Sequence, residues 1–398
     1  MSAIVLNTAI ALPAHVHSQE QIRAALLGWL SGAPDKAERA ASILAHGEVQ
    51  RRFTVRPLPW YLEHTSVTER SRVYAEEMVS LCGRAAEEAL AGAGVHPRQV
   101  GLIISASCTG VMIPSVESHL IPRLGFRPET QRQPVTELGC VAGAWALARA
   151  DDYLRAYPGA AVLIVAAELA SLTAQVGDTS MANIVSAALF GDGAAATVAV
   201  GLSFPRNGPP PAPRSAAPHS AAPHSVASHS MATPETESLT AERRPATHRR
   251  ATHPPARILA TRSFLFPGTP ELMGFDVTDS GLKIVLSPRV PRFIRQHLPG
   301  VLAPFLEEHG VRRGDLAHFL LHPGGRKVLE GLERELGLTP RDTRFSWQVL
   351  REYGNLSSAT VLFLLHHFER EAAPREGDLG LLLAVGPGFC TELVLLQW

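Results

Sequence analysis

The sequence predicts a layered α/β fold made of two similar halves, each a sheet covered on both faces by helices. Three observations carry that reading. Short, nearly continuous apolar runs recur along the chain: VGLIISAS (100–107), AAVLIVAAE (160–168), AHFLLH (317–322) and LGLLLAV (379–385). Runs of this length without polar alternation mark strands buried on both faces. Helical stretches separate them, and the order of strands and helices repeats after an interruption near residue 200. At 398 residues the chain is also longer than one core usually serves, which favours two packed halves.

The elements follow in order. Residues 3–14 are apolar, but no basic residue precedes Arg23, so they read as a first strand and not as a signal peptide. A helix over 74–93 leads to the strand at 100–107, and a second helix covers 115–124. A short strand ends near Glu137, an Ala-rich helix starts at Cys140, and strands at 160–168 and up to Val200 close the first half. In the second half a helix over 289–309 precedes the strand at 317–322. Helices from Arg326 and over 357–371 follow, and strands at 379–385 and TELVLLQW (391–398) end the chain. Stacked together, the halves give an α-β-α-β-α layering, with residues 1–200 and 258–398 as its two parts. Between them, 201–257 is dominated by Pro, Ala, Ser, His and Arg, with a decaying repeat (SAAPHSAAPHSVASHS). Too few large apolar side chains stand there to offset the entropy of ordering, so it reads as a disordered insertion. His219, His224 and His229 recur in it every five residues, a spacing that fits a drifted repeat better than a metal site.

Composition narrows the function classes. Lys plus Arg and Asp plus Glu both number 37, so no global charge argues for nucleic acid or an anionic membrane. The four cysteines, Cys82, Cys108, Cys140 and Cys390, are scattered, which fits neither a disulfide framework nor a zinc site. The most apolar internal run, 160–172, contains Glu168 and is too short to span a bilayer. These features predict a soluble, cytoplasmic protein.

Three local contexts carry chemistry. In VTELGCVAGAWALARADDYL (135–154), Gly139 permits a tight turn and Cys140 falls at the start of the helix. The positive end of a helix dipole favours a thiolate there. Taken alone, Cys140 fits a buried structural cysteine as well as a nucleophile. In LLHPGGRKVL, His322 stands at the C-terminal end of a buried strand, where α/β folds collect active-site groups. In REYGNLSSATVLFLL, Asn355 precedes a helix that Ser357 or Ser358 would cap. Each of the three residues is thus expected at a strand-to-helix junction. A thiolate needs a cationic or proton-accepting partner, which His supplies. Neutral His and Asn donors suit the enolate formed when a malonyl group loses CO2, whereas carboxylates would repel it. A cysteine protease uses the same residue types in the same order, but the flanking signature of the papain type is absent.

At these motifs the sequence resembles the type III polyketide synthases, the chalcone-synthase-like members of the thiolase superfamily. The resemblance covers the chain outside the insertion and rests on ELGCVAGA, LFGDGAAA, HPGG, YGNLSSAT and GPGF. It implies a thiolase-like fold, a homodimer, acyl-CoA and malonyl-CoA as substrates, and no cofactor or metal. Cys140 would accept the starter acyl group, and His322 and Asn355 would position malonyl-CoA and stabilise its enolate. Phe190 falls at the family's aromatic gatekeeper. Ile284 stands where plant members have a second Phe, as in microbial members that make alkylpyrones or alkylresorcinols. Thr173, Gly274 and Ser357 align with cavity-lining positions, and Ile113 with a residue inserted across the dimer interface. Arg51, Arg52 and Arg56 are the expected cations for the CoA phosphates. The alternative is a single-condensation 3-ketoacyl synthase of the fatty-acid initiation type.

Overall fold

A computed structural model describes residues 2–63, 66–175, 177–205 and 254–398. The first half opens with β1 (Ile4–Ala11). A two-stranded pair, β2 (His15–Ser18) and β3 (Arg51–Thr54), brackets α1 (Gln19–Trp29) and α2 (Pro34–His46). The short α3 (Leu58–Leu62) and the long α4 (Val67–Ala93) come next. Then β4 (Val100–Ala106), α5 (Val116–Leu124), β5 (Gln131–Val135) and α6 (Ala142–Ala156) alternate. The half ends with β6 (Ala161–Leu169), α7 (Met181–Leu189) and β7 (Asp192–Val200).

The second half repeats this plan from β8 (Ala256–Leu265). A hairpin of β9 (Met273–Thr278) and β10 (Gly281–Leu286) leads to α8 (Val290–His297) and α9 (Pro299–Glu308). After β11 (Leu316–Leu321) come α10 (Arg326–Leu336), α11 (Arg344–Tyr353) and α12 (Thr360–Glu371). Strands β12 (Leu379–Gly386) and β13 (Cys390–Gln397) complete it. The single helix expected over 289–309 is therefore two. Pro299 supplies no N–H to continue the ladder, and a new helix begins at it.

Nine strands form one sheet in the order β11-β12-β13-β8-β1-β7-β6-β4-β5. Outward from the centre, β1-β7-β6-β4 is the counterpart of β8-β13-β12-β11. In both series the last two strands are parallel and the central ones antiparallel. The halves meet at β1 and β8 through only two residue pairs, Ile4 with Arg257 and Val5 with Ala256.

Alternation along the buried strands builds the layers. On β6, Val162, Ile164 and Ala166 face a central core with Leu147 of α6 and Val361 and Phe363 of α12. The intervening Leu163 and Val165 face an outer core with Met78 and Leu81 of α4. In the second half, Leu383 and Leu395 face a third core with Ile294, Phe305 and Leu329 of α8, α9 and α10. The result is the α-β-α-β-α stack expected from the sequence. The 201–257 prediction, with its histidines, lies outside the described residues except at its ends. Among the described residues no helix is long and apolar enough to cross a membrane.

The two central helices touch at Gly143. A Cβ there would stand 2.3 Å from the Ser358 carbonyl oxygen and 2.8 Å from Val361 Cγ2. Only glycine permits that approach. We expect Gly143→Val to force the helices apart and to destabilise the fold by about 1–3 kcal/mol or more, read as an earlier urea midpoint. An unchanged midpoint would mean the contact tolerates a side chain.

Candidate active site

Cys140 sits in one 3-10 turn, Gly139–Val141, between β5 and α6. Gly139 adopts φ +52°, and a Cβ there would meet Pro387 at 2.8 Å, so both conformation and space require glycine. The thiol is buried, with Sγ 3.3 Å from Ser357 Oγ. Burial pushes the Cys140 thiol up to about 12, and the Ser357 hydrogen bond pulls the other way. The start of a helix favours a thiolate, and burial of the thiol and the nearby Glu168 work against it.

His322 follows β11 directly, and its backbone N–H donates to the Leu383 carbonyl at 2.8 Å. Its ring is buried, and Nδ1 has no hydrogen-bond partner. Burial lowers the imidazole to about 4, so the ring is neutral at ordinary pH. Asn355 lies between α11 and α12, a helix-to-helix junction and not the strand-to-helix junction expected. Its backbone pairs with the Phe190 segment: Asn355 N–H donates to Leu189 O at 2.9 Å, and Gly191 N–H to Asn355 O at 3.1 Å. The Asn355 Oδ1 accepts from Ser357 N–H at 2.8 Å and from Thr360 Oγ1 at 3.4 Å. With the oxygen so occupied, the NH2 group is the end left to act as a donor. The serines do not cap α12. Ser357, at φ +46°, turns its hydroxyl to Cys140, and Ser358 turns its own to Glu168.

A cavity of about 960 Å³ collects these groups. Cys140, His322 and Asn355 line it, together with Phe190, Thr173, Ile284, Gly274 and Ser357. Its walls are mostly apolar, including Val185, Leu189 and Leu286. Exposed lining residues mark where it opens, among them Ser42, His46 and Lys327 and also Val111, Thr136, Glu137 and Pro288. Ile113 is not among the lining residues; it is 92% exposed, two positions after Val111, which does line the cavity.

The three arginines expected to serve CoA are not among the residues that line this cavity. Arg51 pairs with Glu352 at 3.2 Å, and Arg56 with Glu77 at 2.6 Å. Arg52 is buried, donating to the carbonyls of Ala187 and Phe190 and to Gln19 Oε1. Its guanidinium holds β3 against the end of α7, and a side chain so committed is not free for a phosphate at the mouth. Arg326 and Lys327, which do line the cavity, were legible as the R-K pair after HPGG.

Two further residues escaped sequence reasoning. Cys108 lines the cavity just beyond β4, the counterpart of the place His322 holds beyond β11, and its Sγ lies 3.5 Å from Ser357 Oγ. Behind it stands Glu168 at the end of β6, fully buried. This carboxylate accepts from Cys108 N–H at 3.0 Å, Thr109 Oγ1 at 2.8 Å, Ser107 Oγ at 3.3 Å and Ser358 Oγ. Burial raises its pKa, and these donors oppose the rise. A carboxylate was expected to be excluded from this neighbourhood. Glu168 does not line the cavity, although Glu137 and Glu330 do; it holds Cys108 and Thr109, which line it. Glu168→Gln would set an NH2 group against those donors. We expect a loss of about 1–3 kcal/mol per unsatisfied group, measured by urea denaturation. A variant as stable as the parent would contradict this account of the network.

Among the described residues, no group of three or more His, Cys, Asp or Glu side chains is placed to hold a metal ion. Comparison with known proteins gives the site its context. Residues 2–203 match the N-terminal domain of chalcone and stilbene synthases, and residues 257–398 match their C-terminal domain. A putative chalcone synthase of Bacillus subtilis is 31% identical over 100% of this chain and 99% of its own. The 1,3,6,8-tetrahydroxynaphthalene synthase of Streptomyces peucetius is 34% identical over 98% of this chain and 91% of its own. The crystal structure of 1,3,6,8-tetrahydroxynaphthalene synthase from Streptomyces coelicolor, a bacterial type III polyketide synthase, superposes with a TM-score of 0.83. It is 30% identical and covers 99% of both chains. With its duplicated layers and its Cys, His and Asn gathered in one cavity, the chain belongs to the chalcone and stilbene synthase family, the type III polyketide synthases.

Proposed function

We propose that Cys140 accepts an acyl group from an acyl-CoA and holds it as a thioester while malonyl-CoA extends it. The observation that carries this reading is the convergence of Cys140, His322 and Asn355 on one cavity large enough for an acyl chain. Loading forms the Cys140 S–acyl bond and breaks the acyl–CoA bond, with the thiol proton passing to the neutral His322 and on to the departing CoA thiolate. Malonyl-CoA then loses CO2, and negative charge develops on its thioester oxygen. His322 Nε2–H and the Asn355 NH2 group donate to that oxygen. The enolate carbon attacks the Cys140 thioester carbonyl; a C–C bond forms, the C–S bond breaks, and the thiolate returns. Rounds repeat until the chain cyclises to a pyrone or resorcinol-type product. The Streptomyces coelicolor relative is a type III polyketide synthase and the chain belongs to the same family, so the single-condensation alternative is not favoured.

The mostly apolar walls and the aliphatic Ile284 support a medium or long acyl starter. Arg326 and Lys327 line the cavity, which supports Lys327 as a cation for the CoA phosphates, Arg326 being already paired with Glu48 and Glu330. The exposure of Ile113 supports a homodimer in which it reaches its partner.

Purified protein with malonyl-CoA and a panel of acyl-CoA starters should give cyclised polyketides by mass spectrometry. Cys140→Ala should abolish them while retaining slow malonyl-CoA decarboxylation. Because burial keeps His322 neutral down to about pH 4, that decarboxylation should stay level from pH 8 to about pH 5.5. A fall centred near pH 6.5 would show the imidazole titrating as if exposed. Lys327→Ala should raise KM for acyl-CoA about three- to tenfold, as for one partly exposed phosphate contact. A truncated thioester without phosphates should show no such change; an equal change would remove Lys327 from the CoA site.

A further inference from the structure

A second chamber, of about 100 Å³, lies directly behind Phe190. Ala170, Ser186 and Phe190 line both spaces and form the partition between them. One face of α1 contributes Ile22, Leu26 and Trp29, and α3 contributes Leu58 and Leu62. Helices α1 and α2 pack on α7 around a small core of their own, apart from the cores of the sheet.

Polar side chains interrupt these apolar walls: Thr54, Tyr61 and Ser171 are hydrogen-bonded to neighbouring groups, Ser186 belongs to the partition, and Arg52 and Gln175 carry donors that are not all paired. Arg52 is 2% exposed and Gln175 is 7% exposed. The Nη atoms of Arg52 are committed to Ala187, Phe190 and Gln19, and Gln175 Oε1 accepts from Ser280 Oγ at 2.7 Å. Arg52 Nε and Gln175 Nε2 are left without partners. Both are donors, and an unpaired buried donor costs about 1–3 kcal/mol. The chamber therefore suits a ligand that brings an acceptor oxygen on an otherwise apolar chain. Under the polyketide reading, on which this inference rests, the chain growing on Cys140 carries a carbonyl at every second carbon.

We propose that the chamber receives the far end of the growing poly-β-keto chain, with its carbonyl oxygen accepting from Arg52 Nε–H and Gln175 Nε2–H and Phe190 acting as the door. Holding the first-made carbonyls there keeps them away from the reactive end. Further extension then outruns early ring closure.

The test uses full-length protein with acetyl-CoA and malonyl-CoA, a starter that leaves a carbonyl at the far end of the chain, and the readout is the tetraketide-to-triketide ratio by mass spectrometry. Gln175→Leu removes the donor, and Ala25→Leu fills the chamber from α1. Gln175→Leu should lower the ratio about five- to tenfold, the effect of one lost hydrogen bond, and Ala25→Leu, by excluding the chain end, should lower it at least as much. Ser280→Ala removes the bond to Gln175 Oε1 but keeps the Nε2 donor, and should leave the ratio within about twofold. If either chamber variant makes triketide at an unchanged ratio, the proposal is overturned; should one fail to fold, the other decides. A Ser280→Ala effect as large as that of Gln175→Leu would assign the change to the β9–β10 hairpin and also overturn it. So would a wild type that stops at triketide with every starter. No condensation product from wild type with any starter would instead sink the polyketide reading itself.

Discussion

The close crossing of α6 and α12 is the constraint on which the site depends. Gly143 lets one backbone lie against the Ser358 carbonyl of the other. The segments that lead into the two helices, Gly139–Val141 and Ser357–Ala359, are thereby brought side by side. One carries the thiol and the other follows the amide donor, and they come from different halves of the chain. Neither half alone holds more than part of the chemistry. The packing that makes the central layer is also what assembles the nucleophile and its donors.

Desolvation sets the electrostatic character of that assembly. Cys140, His322 and Glu168 are all buried, and burial drives each toward its neutral form. A site of neutral groups costs the fold little while empty. It responds strongly when a substrate places charge in it, because donors there act in a medium of low dielectric. The Oδ1 of Asn355 is tied to Ser357 N–H, so the donor end of the amide is oriented before an enolate forms. Around Glu168, the hydroxyls of Ser358 and Thr109 are fixed in the same way.

Much of this was legible in the sequence. Periodicity alone located β4, β6, β11 and β12, because strands covered on both faces leave continuous apolar runs. The turn glycines flagged Cys140 and His322. Asn355 was found through its motif, but its surroundings were not: whether a strand or a helix precedes a turn depends on packing and not on the turn residues. Arg52 shows the limit most clearly. A run of arginines near an expected CoA site looks like a phosphate clamp, yet backbone carbonyls at the end of α7 claim the guanidinium from 135 residues away. Cys108 and Glu168 were missed for a related reason. Their importance comes from Ser357 and Ser358, which reach them only after the second half has folded onto the first.

The seam between the halves has a consequence for how such a chain can diverge. Strand β7 leaves the catalytic end at Asp192 and finishes at Val200 beside Ile4, and β8 starts at Ala256 beside Val5. Both ends of the connecting segment therefore emerge about 30 Å from the chemistry, a full strand length away. Only two residue pairs stitch β8 to β1 at that point, so little register is at stake there. The connection is a place where the chain can gain or lose residues with selection on catalysis nearly blind to the change. A compositionally drifted stretch in an otherwise constrained enzyme belongs in such a place.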